Sequence, residues 1–358
     1  MSDDDRSQGL PGDGWEDDEH GGDLAAHPGV VLDYSTNVSP LGLSPAVRRA
    51  IVERLDDYAA YPDPRCRALR AALARQHQVD PANILCGNGA ADLIHRVCAA
   101  LRPRRALTWA PSFSEYQRCA ALGGAVVEQP RLDPADGFRL TAAAVAAVPP
   151  GVELVFCCQP NNPTGRLVEP AVLDQLVERC RLIGAVLVCD ECFLPFTAAG
   201  SLIPQLARQP HVIVLSALTK THALAGLRLG YAVGHPDYLA LMAEHGPRWG
   251  VSAVAQAAGL AALAEPERVA EARRLVALER PWVEGELVRL GLRTFPGEAN
   301  FILFQSSVDL FQPLLEQGVL IRSGANFSGL DKSYYRVAIK CHTDNVALVK
   351  ALGEVRRG

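Results

Sequence analysis

Short apolar segments alternate with segments of helical periodicity between residues 84 and 215. The apolar segments lie at 84–87, 105–109, 152–158, 185–189 and 211–215, and helical segments of roughly 10–15 residues separate them. This alternation predicts an α/β fold with a mainly parallel, doubly wound sheet. Ligands of such sheets bind at the carboxyl ends of the strands. Polar residues that follow the apolar segments are therefore the first candidates for a functional site.

The pattern changes after Tyr231. Helical segments at 251–264 and 266–290 are followed by short apolar segments at 292–295, 299–304, 318–322 and 335–339, and by a last helical segment at 344–355. This second pattern predicts a smaller α+β domain. The expected division is an acidic disordered tail at 1–19, the start of the small domain at 20–47, the large domain at 48–279 and the rest of the small domain at 280–358.

Charge is distributed unevenly along the chain. The 358 residues are 49% hydrophobic and carry a net charge of −5, and residues 1–19 hold eight acidic side chains against one Arg. A segment of this composition is typical of disorder. The remainder has no general basic face for nucleic acid, and no apolar run has the length of a membrane span or the features of a signal peptide. We therefore expect a cytoplasmic protein that binds neither nucleic acid nor membranes.

The ten cysteines are spread over the predicted strands and helices. This distribution differs from that of a small secreted disulfide scaffold, so we expect reduced thiols. Cys189 and Cys192 match the C-x-x-C spacing, but a zinc site requires a second pair of ligands at a suitable spacing. No such pair is evident in the sequence, and we expect no metal.

The segment Ser216–Tyr231 carries the most specific chemistry. It follows the apolar run at 211–215 and reads S-A-L-T-K-T-H-A-L-A-G-L-R-L-G-Y. The amine of Lys220, placed just after a buried strand, loses solvation, which lowers its pKa and makes it a nucleophile toward carbonyl groups. Ser216, Thr219 and Arg228 are donors suited to a phosphate dianion. A nucleophilic Lys beside a phosphate site indicates pyridoxal 5′-phosphate (PLP) as cofactor.

Other strand ends supply residues suited to the same cofactor. The turn Gly87-Asn-Gly89-Ala90 opens a helix and offers backbone N–H groups to an anion. Phe113 either packs in the core or stacks on a flat ring. Asp190 and Asn162 each follow a strand, and a buried carboxylate beside a pyridine nitrogen keeps that nitrogen protonated.

Two arginines and one asparagine are candidate ligands for a substrate. Arg322 and Arg336 fall on otherwise apolar strands, and two such residues on adjacent strands indicate a pocket for anionic groups. Asn37 ends a short extended run, where it either caps a turn or reaches a site.

Seven motifs carry a resemblance to a known family. They are Tyr61-Pro-Asp, Gly87-Asn-Gly, Pro111-Ser-Phe, Asn161-Asn162-Pro-Thr-Gly, Asp190-Glu, the segment Ser216–Arg228, and Arg336. With them the chain resembles the fold-type I PLP enzymes of the class I/II aminotransferase superfamily over essentially its whole length after residue 19. On the strings at 20–22, 33–42 and 319–339, it is more similar to the threonine-phosphate decarboxylases of cobalamin biosynthesis than to the histidinol-phosphate aminotransferases.

The resemblance implies a fold, a cofactor and a set of roles. The fold would be a large domain with a mainly parallel, seven-stranded sheet plus a smaller α+β domain, and the cofactor would be PLP. Lys220 would bond the cofactor covalently, Asp190 would pair with its pyridine nitrogen, and Asn162 would bind its ring hydroxyl. Phe113 would stack on the ring. The phosphate ligands would be Gly89, Ala90, Ser216, Arg228 and, from the neighbouring subunit of a homodimer, Tyr61; the substrate ligands would be His20, Gly21, Asn37, Arg322 and Arg336.

The implied reaction is the PLP-dependent decarboxylation of O-phospho-L-threonine to (R)-1-amino-2-propanol O-2-phosphate. Phe193 favours it, because many aminotransferases carry a Tyr near this position. Asp23, Gly324 and the segment 248–252 depart from the decarboxylase pattern and favour a relative that acts on phosphoserine or another amino acid. A histidinol-phosphate-type aminotransferase is an alternative. A PLP-binding regulator without catalysis would need a DNA-binding helix-turn-helix, which the short acidic tail cannot supply.

Overall fold

The computed structural model describes residues 21–357. The predicted acidic tail at 1–19 and the candidate substrate ligand His20 lie outside the described residues. The strands, in chain order, are β1 (Leu32–Asp33), β2 (Ile84–Gly87), β3 (Arg105–Thr108), β4 (Val126–Glu128), β5 (Leu154–Cys158), β6 (Val186–Asp190), β7 (Val212–Ala217), β8 (Gly230–Val233), β9 (Arg293–Thr294), β10 (Phe301–Gln305), β11 (Val319–Leu320), β12 (Arg322–Ser323) and β13 (Tyr334–Ala338). The helices are α1 (Pro45–Val52), α2 (Arg67–His77), α3 (Ala90–Leu101), α4 (Ser114–Leu122), α5 (Ala142–Ala146), α6 (Pro170–Ile183), α7 (Leu218–Thr221), α8 (Pro236–Glu244), α9 (Ala253–Leu263), α10 (Pro266–Arg289), α11 (Phe311–Glu316) and α12 (His342–Arg357).

A seven-stranded sheet in the order β2-β8-β7-β6-β5-β3-β4 is the centre of the larger part of the molecule. Strands β3 to β7 pair in parallel, and β8 runs antiparallel between β7 and β2. Every residue of β5, β6 and β7 is buried, because apolar layers cover both faces of the sheet. The predicted α/β fold with a mainly parallel sheet is confirmed.

The two faces of this sheet have different helical partners. Helices α3 and α4 cover one face through residues such as Leu93, and helices α6 and α9 cover the other through residues such as Leu176. Successive residues of a strand point to opposite faces. Val188 of β6 accordingly packs on the α3/α4 face, whereas Cys189 packs on the α6/α9 face.

A four-stranded antiparallel sheet in the order β12-β13-β10-β9 forms the smaller α+β part. Helices α10 and α12 pack against it through apolar residues such as Val276 and Leu348. The sequence predicted a single strand at 318–322, and this was wrong. Strand β11 pairs in parallel with β1, whereas β12 pairs with β13. Ile321 between them is buried, and at this residue the chain passes from one sheet to the other.

The first described residues connect the two parts of the molecule. Strand β1 pairs with β11, and the Ser39 N–H then donates to the carbonyl oxygen of Lys220 at 2.8 Å. This path brings residues 21–37 against the carboxyl edge of the large sheet. Among the helices between residues 21 and 357, none is long and apolar enough to cross a membrane.

Candidate active site

The carboxyl ends of β5 and β6 and the start of α7 open into a cavity of about 710 Å³. Its other walls come from the first described residues, from the starts of α3 and α4, and from β12 and β13. The predicted site residues that line it are Gly21, Asn37, Ala90, Phe113, Asn162, Asp190, Lys220, Arg228, Arg322 and Arg336. Residues chosen from scattered strand ends in the sequence therefore lie together in the fold.

Asp190 is the last residue of β6, and its side chain is fixed at both oxygens. Its Oδ2 accepts a hydrogen bond from the Tyr116 hydroxyl at 2.7 Å, and its Oδ1 accepts one from the Cys192 backbone N–H at 3.0 Å. The side chain points to the α3/α4 face because it lies two residues after Val188. A buried, oriented carboxylate at this position is suited to a cationic ring nitrogen.

Lys220 lies in the single turn of helix that follows β7. Burial, and next the positive charge of Arg336, lower the pKa of the Lys220 amine to about 8. The Nζ atom lies 5.7 Å from the centroid of the Phe193 ring. An amine with this pKa has a substantial neutral fraction near physiological pH, and only the neutral form attacks a carbonyl carbon.

Arg336 and Asn162 form the junction between the small and the large sheet. The Arg336 Nη1 donates to the Asn162 side-chain oxygen, which leaves the Asn162 side-chain nitrogen as the donor for a ligand. The Arg336 Nη2 donates to the Ser35 carbonyl oxygen at 2.7 Å. The Arg336 Nε is buried and has no hydrogen-bond partner among residues 21–357.

Arg322 lies beside Arg336, because the two are register partners on β12 and β13. Its Nη2 donates to the Asn326 Oδ1 at 2.6 Å, and its guanidinium carbon lies 5.2 Å from the centroid of the Phe327 ring. Burial, and next the positive charge of Arg322, lower the pKa of the Arg336 guanidinium to about 9. Two buried cations side by side make this wall of the cavity a strong site for an anion.

The turn before α3 is built to bring Arg228 close to the backbone. Gly89 has a φ of +82°, and a Cβ on it would lie 2.7 Å from the Arg228 Nη2. Asp92 fixes the turn from within the helix: its Oδ2 accepts from the Asn88 N–H at 2.8 Å and lies 2.7 Å from the Arg96 Nη2. Helix N–H groups and a guanidinium on one concave turn form an anion site.

The structure places Ser216 away from the cavity and Thr219 in it. Thr219 lines the cavity, whereas Ser216 is not among the described lining residues. Ser216 lies two residues after Val214, which packs on the α6/α9 face. It is the register partner of Tyr231, which packs on the same face. The expected phosphate role of Ser216 has no support in this geometry, and Thr219 is the better candidate.

The structure gives different degrees of support to three other candidates, Asn37, Gly21 and Tyr61. Asn37 lines the cavity, and its buried Oδ1 has no hydrogen-bond partner within the described chain. Gly21 lines it where a Cβ would lie 2.4 Å from the Ser35 carbonyl oxygen. Tyr61 is 82% exposed, and its ring is in tilted contact with that of Trp249, with centroids 4.9 Å apart. A role of Tyr61 in a neighbouring subunit stays a prediction.

Sequence reasoning missed Tyr116. It lies on α4, one helical turn after Phe113, and this spacing puts both side chains on one face of the helix. The rings of Tyr116 and Phe113 meet edge to face at 5.6 Å. The spacing was therefore a usable signal, but the contact of Tyr116 with Asp190 depends on the packing of α4 on the sheet.

The side chains around the cavity fit PLP. The large-sheet side of the cavity has an oriented carboxylate, a reactive amine and a glycine turn that a Cβ would fill. The lining includes five basic and two acidic side chains: Arg118, Lys220, Arg228, Arg322 and Arg336 against Glu115 and Asp190. This surplus of positive charge suits an anionic cofactor together with an anionic substrate.

Comparison with known proteins leads to the same assignment. The profile of the family described as aminotransferase class I and II matches residues 30–353. The threonine-phosphate decarboxylase of Salmonella typhimurium is 40% identical over 341 residues, which cover 94% of each chain. The histidinol-phosphate aminotransferase of Moorella thermoacetica is 33% identical over 336 residues, which cover 91% of this chain and 85% of the other.

A solved structure agrees as well. The histidinol-phosphate aminotransferase from Sinorhizobium meliloti in complex with pyridoxal-5′-phosphate matches with a TM-score of 0.84 at 25% identity and covers 93% of each chain. The family, the fold and the residues that line the cavity all indicate PLP as the cofactor. This protein belongs to the class I and II aminotransferase family and is a PLP enzyme.

Proposed function

We propose that the enzyme decarboxylates O-phospho-L-threonine and releases (R)-1-amino-2-propanol O-2-phosphate, the aminopropanol precursor of cobalamin biosynthesis. The observation that carries this proposal is the pair of buried guanidinium groups on the wall formed by β12 and β13. The similarity to the Salmonella typhimurium threonine-phosphate decarboxylase supports it. We further propose that the enzyme works as a cytoplasmic homodimer.

The arginine pair selects a substrate with two anionic groups. Arg322 is oriented by Asn326 and Phe327, so its guanidinium is held in place on this wall, and a guanidinium is suited to a phosphate. Arg336 is held by Asn162 and Ser35, and its buried Nε, which has no hydrogen-bond partner among residues 21–357, is a donor suited to the substrate. A phosphate on Arg322 and a carboxylate beside Arg336 would offset the repulsion between the two buried cations.

The direction of the reaction follows from how this wall holds the substrate. Bound PLP withdraws electrons from whichever bond to the substrate Cα stands perpendicular to its ring. Arg322 and Asn37, which line the cavity, would hold the phosphate and so favour the orientation in which the bond from Cα to the carboxylate is the one that breaks. Lys220, with an amine pKa of about 8, then carries the proton that replaces CO₂ on Cα.

A second candidate is a histidinol-phosphate-type aminotransferase. The similarity to the Moorella thermoacetica enzyme favours it, and the same arginine pair suits a phosphate monoester. This reaction breaks the C–H bond at Cα instead, and it requires a 2-oxo acid as second substrate. A decarboxylase of phosphoserine is a variant of the first candidate.

One assay separates these candidates. The PLP-saturated protein is incubated with O-phospho-L-threonine without any oxo acid, and CO₂ and the amine product are followed by mass spectrometry. The proposal predicts equal amounts of CO₂ and aminopropanol phosphate over many turnovers. Absence of CO₂, together with conversion of the cofactor to the pyridoxamine form that 2-oxoglutarate reverses, would establish an aminotransferase. Phosphoserine and histidinol phosphate are tested in parallel.

The role of Arg322 is tested with Arg322→Ala. We expect kcat/KM for O-phospho-L-threonine to fall by the equivalent of roughly 2–5 kcal/mol, because a buried charge pair loses one partner, while the visible absorbance of the bound cofactor stays unchanged. Arg293→Ala is the matched control, since Arg293 lies in the same sheet but is exposed and stacks on Phe295. A variant that transaminates faster and still releases CO₂ at the original rate would contradict this division of roles.

A further inference from the structure

The hydroxyl of Tyr116 bonds the side chain of Asp190, the carboxylate predicted to pair with the ring nitrogen of the cofactor. It donates to the Asp190 Oδ2 at 2.7 Å. Tyr116 is 1% exposed. Burial, and next the charge of Asp190, raise the pKa of the Tyr116 phenol above its ordinary value. The phenol therefore stays protonated over the working range of the enzyme and acts as a fixed donor.

The packing of Tyr116 fixes the direction of this bond. Its ring stacks on Phe156 with centroids 5.0 Å apart and an angle of 14°, and it meets Phe113 edge to face at 5.6 Å. Phe156 belongs to β5, the strand beside that of Asp190. Phe113 lines the cavity where a flat ring would stack. The aromatic contacts leave the phenol oxygen with one orientation, toward the carboxylate.

We propose that Tyr116 is a positioning residue that sets how strongly Asp190 competes with the cofactor for the proton on the pyridine nitrogen. A donor on a carboxylate stabilises its charged form and lowers its affinity for a proton. With Tyr116 in place the proton remains on the pyridine nitrogen. Without the phenol, the carboxylate charge would be less stabilised, the shared proton would lie nearer the carboxylate, and the ring would withdraw electrons less strongly.

The other groups around Asp190 do not replace the phenol. The Cys192 N–H occupies the other oxygen, Oδ1, and therefore adds to the stabilisation of the carboxylate without substituting for the bond at Oδ2. Burial raises the pKa of the Cys192 and Cys158 thiols well above the ordinary value, and a neutral thiol is a weak donor. The phenol is therefore the stronger side-chain donor to this carboxylate.

The test uses Tyr116→Phe, which keeps the stacked ring and removes the hydroxyl. The protein is loaded with PLP labelled with ¹⁵N in the ring, and the chemical shift of the pyridine nitrogen is measured by NMR without substrate. We expect the shift to move from the protonated toward the neutral value. With substrate, kcat should fall by about tenfold or more while KM, which depends on the arginine wall, changes less than twofold.

The inference rests on the role of Asp190 in the proposed function and not on the identity of the substrate, so the NMR result stands even if the assay identifies an aminotransferase.

Tyr231→Phe is the matched control. Tyr231 is also a buried tyrosine and lies on β8 of the large sheet, but its hydroxyl bonds the His77 Nε2 at 2.8 Å on the α6/α9 face. This variant should keep the wild-type ¹⁵N shift and kcat. An unchanged ¹⁵N shift in Tyr116→Phe would overturn the proposal, even if activity falls, because the loss would then come from packing.

A second measurement keeps the proposal testable if Tyr116→Phe does not fold. Incorporation of a ring-fluorinated tyrosine at position 116 preserves the shape and makes the phenol a stronger donor. The pyridine nitrogen should then keep its protonated ¹⁵N shift to a higher pH than in the wild type. A transition at the wild-type pH or at a lower pH would contradict the assigned role.

Discussion

At the residue scale, the site depends on groups whose ordinary properties are changed by burial. Lys220 and Arg336 are both cations in an apolar surrounding, and both pKa values are lowered, to about 8 and about 9. Arg336 also affects Lys220 directly, because its charge is the second cause of the lowered Lys220 pKa. An anionic ligand at Arg336 would raise the Lys220 pKa again, so substrate binding and the reactivity of the amine are linked.

The lowered pKa predicts how fast the apoprotein captures PLP at different pH values. The neutral amine is the reactive form, so the rate should rise with pH and level off above a midpoint near 8 instead of near 10.5. The appearance of the absorbance band of the bound cofactor in a stopped-flow mixing experiment measures this rate. Nα-acetyl-lysine mixed with PLP is the control for an exposed amine. A midpoint above pH 10 in the protein would contradict the assignment.

At the element scale, the α3 turn and the segment that carries Arg228 form one anion site. Gly89 has a left-handed φ and lies against the Arg228 guanidinium, and Asp92 fixes the turn through the Asn88 N–H. The geometry depends on the absence of a side chain at position 89. A methyl group there would displace Arg228, not the strand, because the guanidinium is the end of a flexible chain.

Gly89→Ala is therefore expected to weaken PLP binding more than it weakens the fold. We expect the Kd for PLP to rise by about tenfold or more, because charge-assisted contacts are lost, and the free energy of unfolding of the apoprotein to fall by about 1–3 kcal/mol from backbone strain. Fluorescence titration of the apoprotein and chemical denaturation measure the two effects. Gly226→Ala is the control, because Gly226 lies in the same segment and a Cβ there meets open space. Equal effects of the two substitutions on the Kd would argue against the site.

The elements also show why part of the site follows from sequence and part does not. Asp190 and Asn162 could be predicted, because strand ends in a parallel sheet mark the ligand edge. Ser216 was predicted as a phosphate ligand instead of Thr219 because the sequence does not show where β7 ends and the helical turn of α7 begins. That change of period, from two to 3.6, decides which hydroxyl faces the cavity. The contact of Tyr116 was not predicted because its partner, Asp190, is remote in sequence.

At the scale of the whole molecule, a single chain exposes several large aromatic and aliphatic side chains to solvent. Tyr61 and Trp249 form an exposed pair of rings in tilted contact, and Val52 and Leu55 are more than 60% exposed. Exposed apolar groups of this size are typical of an interface. They are consistent with the proposed homodimer, in which Tyr61 would complete the phosphate site of its neighbour.

Complementation between two inactive variants tests this arrangement. Tyr61→Phe and Lys220→Ala are expected to lower activity strongly when each is the only chain present. If Tyr61 acts across the interface, a mixed dimer contains one site with both defects and one site with neither. Co-expression with two different affinity tags and isolation of the mixed dimer should therefore restore about half of the wild-type activity per dimer. No restored activity in the mixed dimer would place Tyr61 at the site of its own chain.

The pairing of β1 with β11 has a consequence for synthesis on the ribosome. Leu32 and Asp33 cannot find their partners Val319 and Leu320 until nearly the whole chain has been made, and Arg322 and Arg336 are also late residues. The large sheet, from β2 to β8, ends at Val233 and is available for folding much earlier. The cofactor side of the cavity can therefore fold before the substrate side has been synthesised. The residues that are translated last complete the cavity.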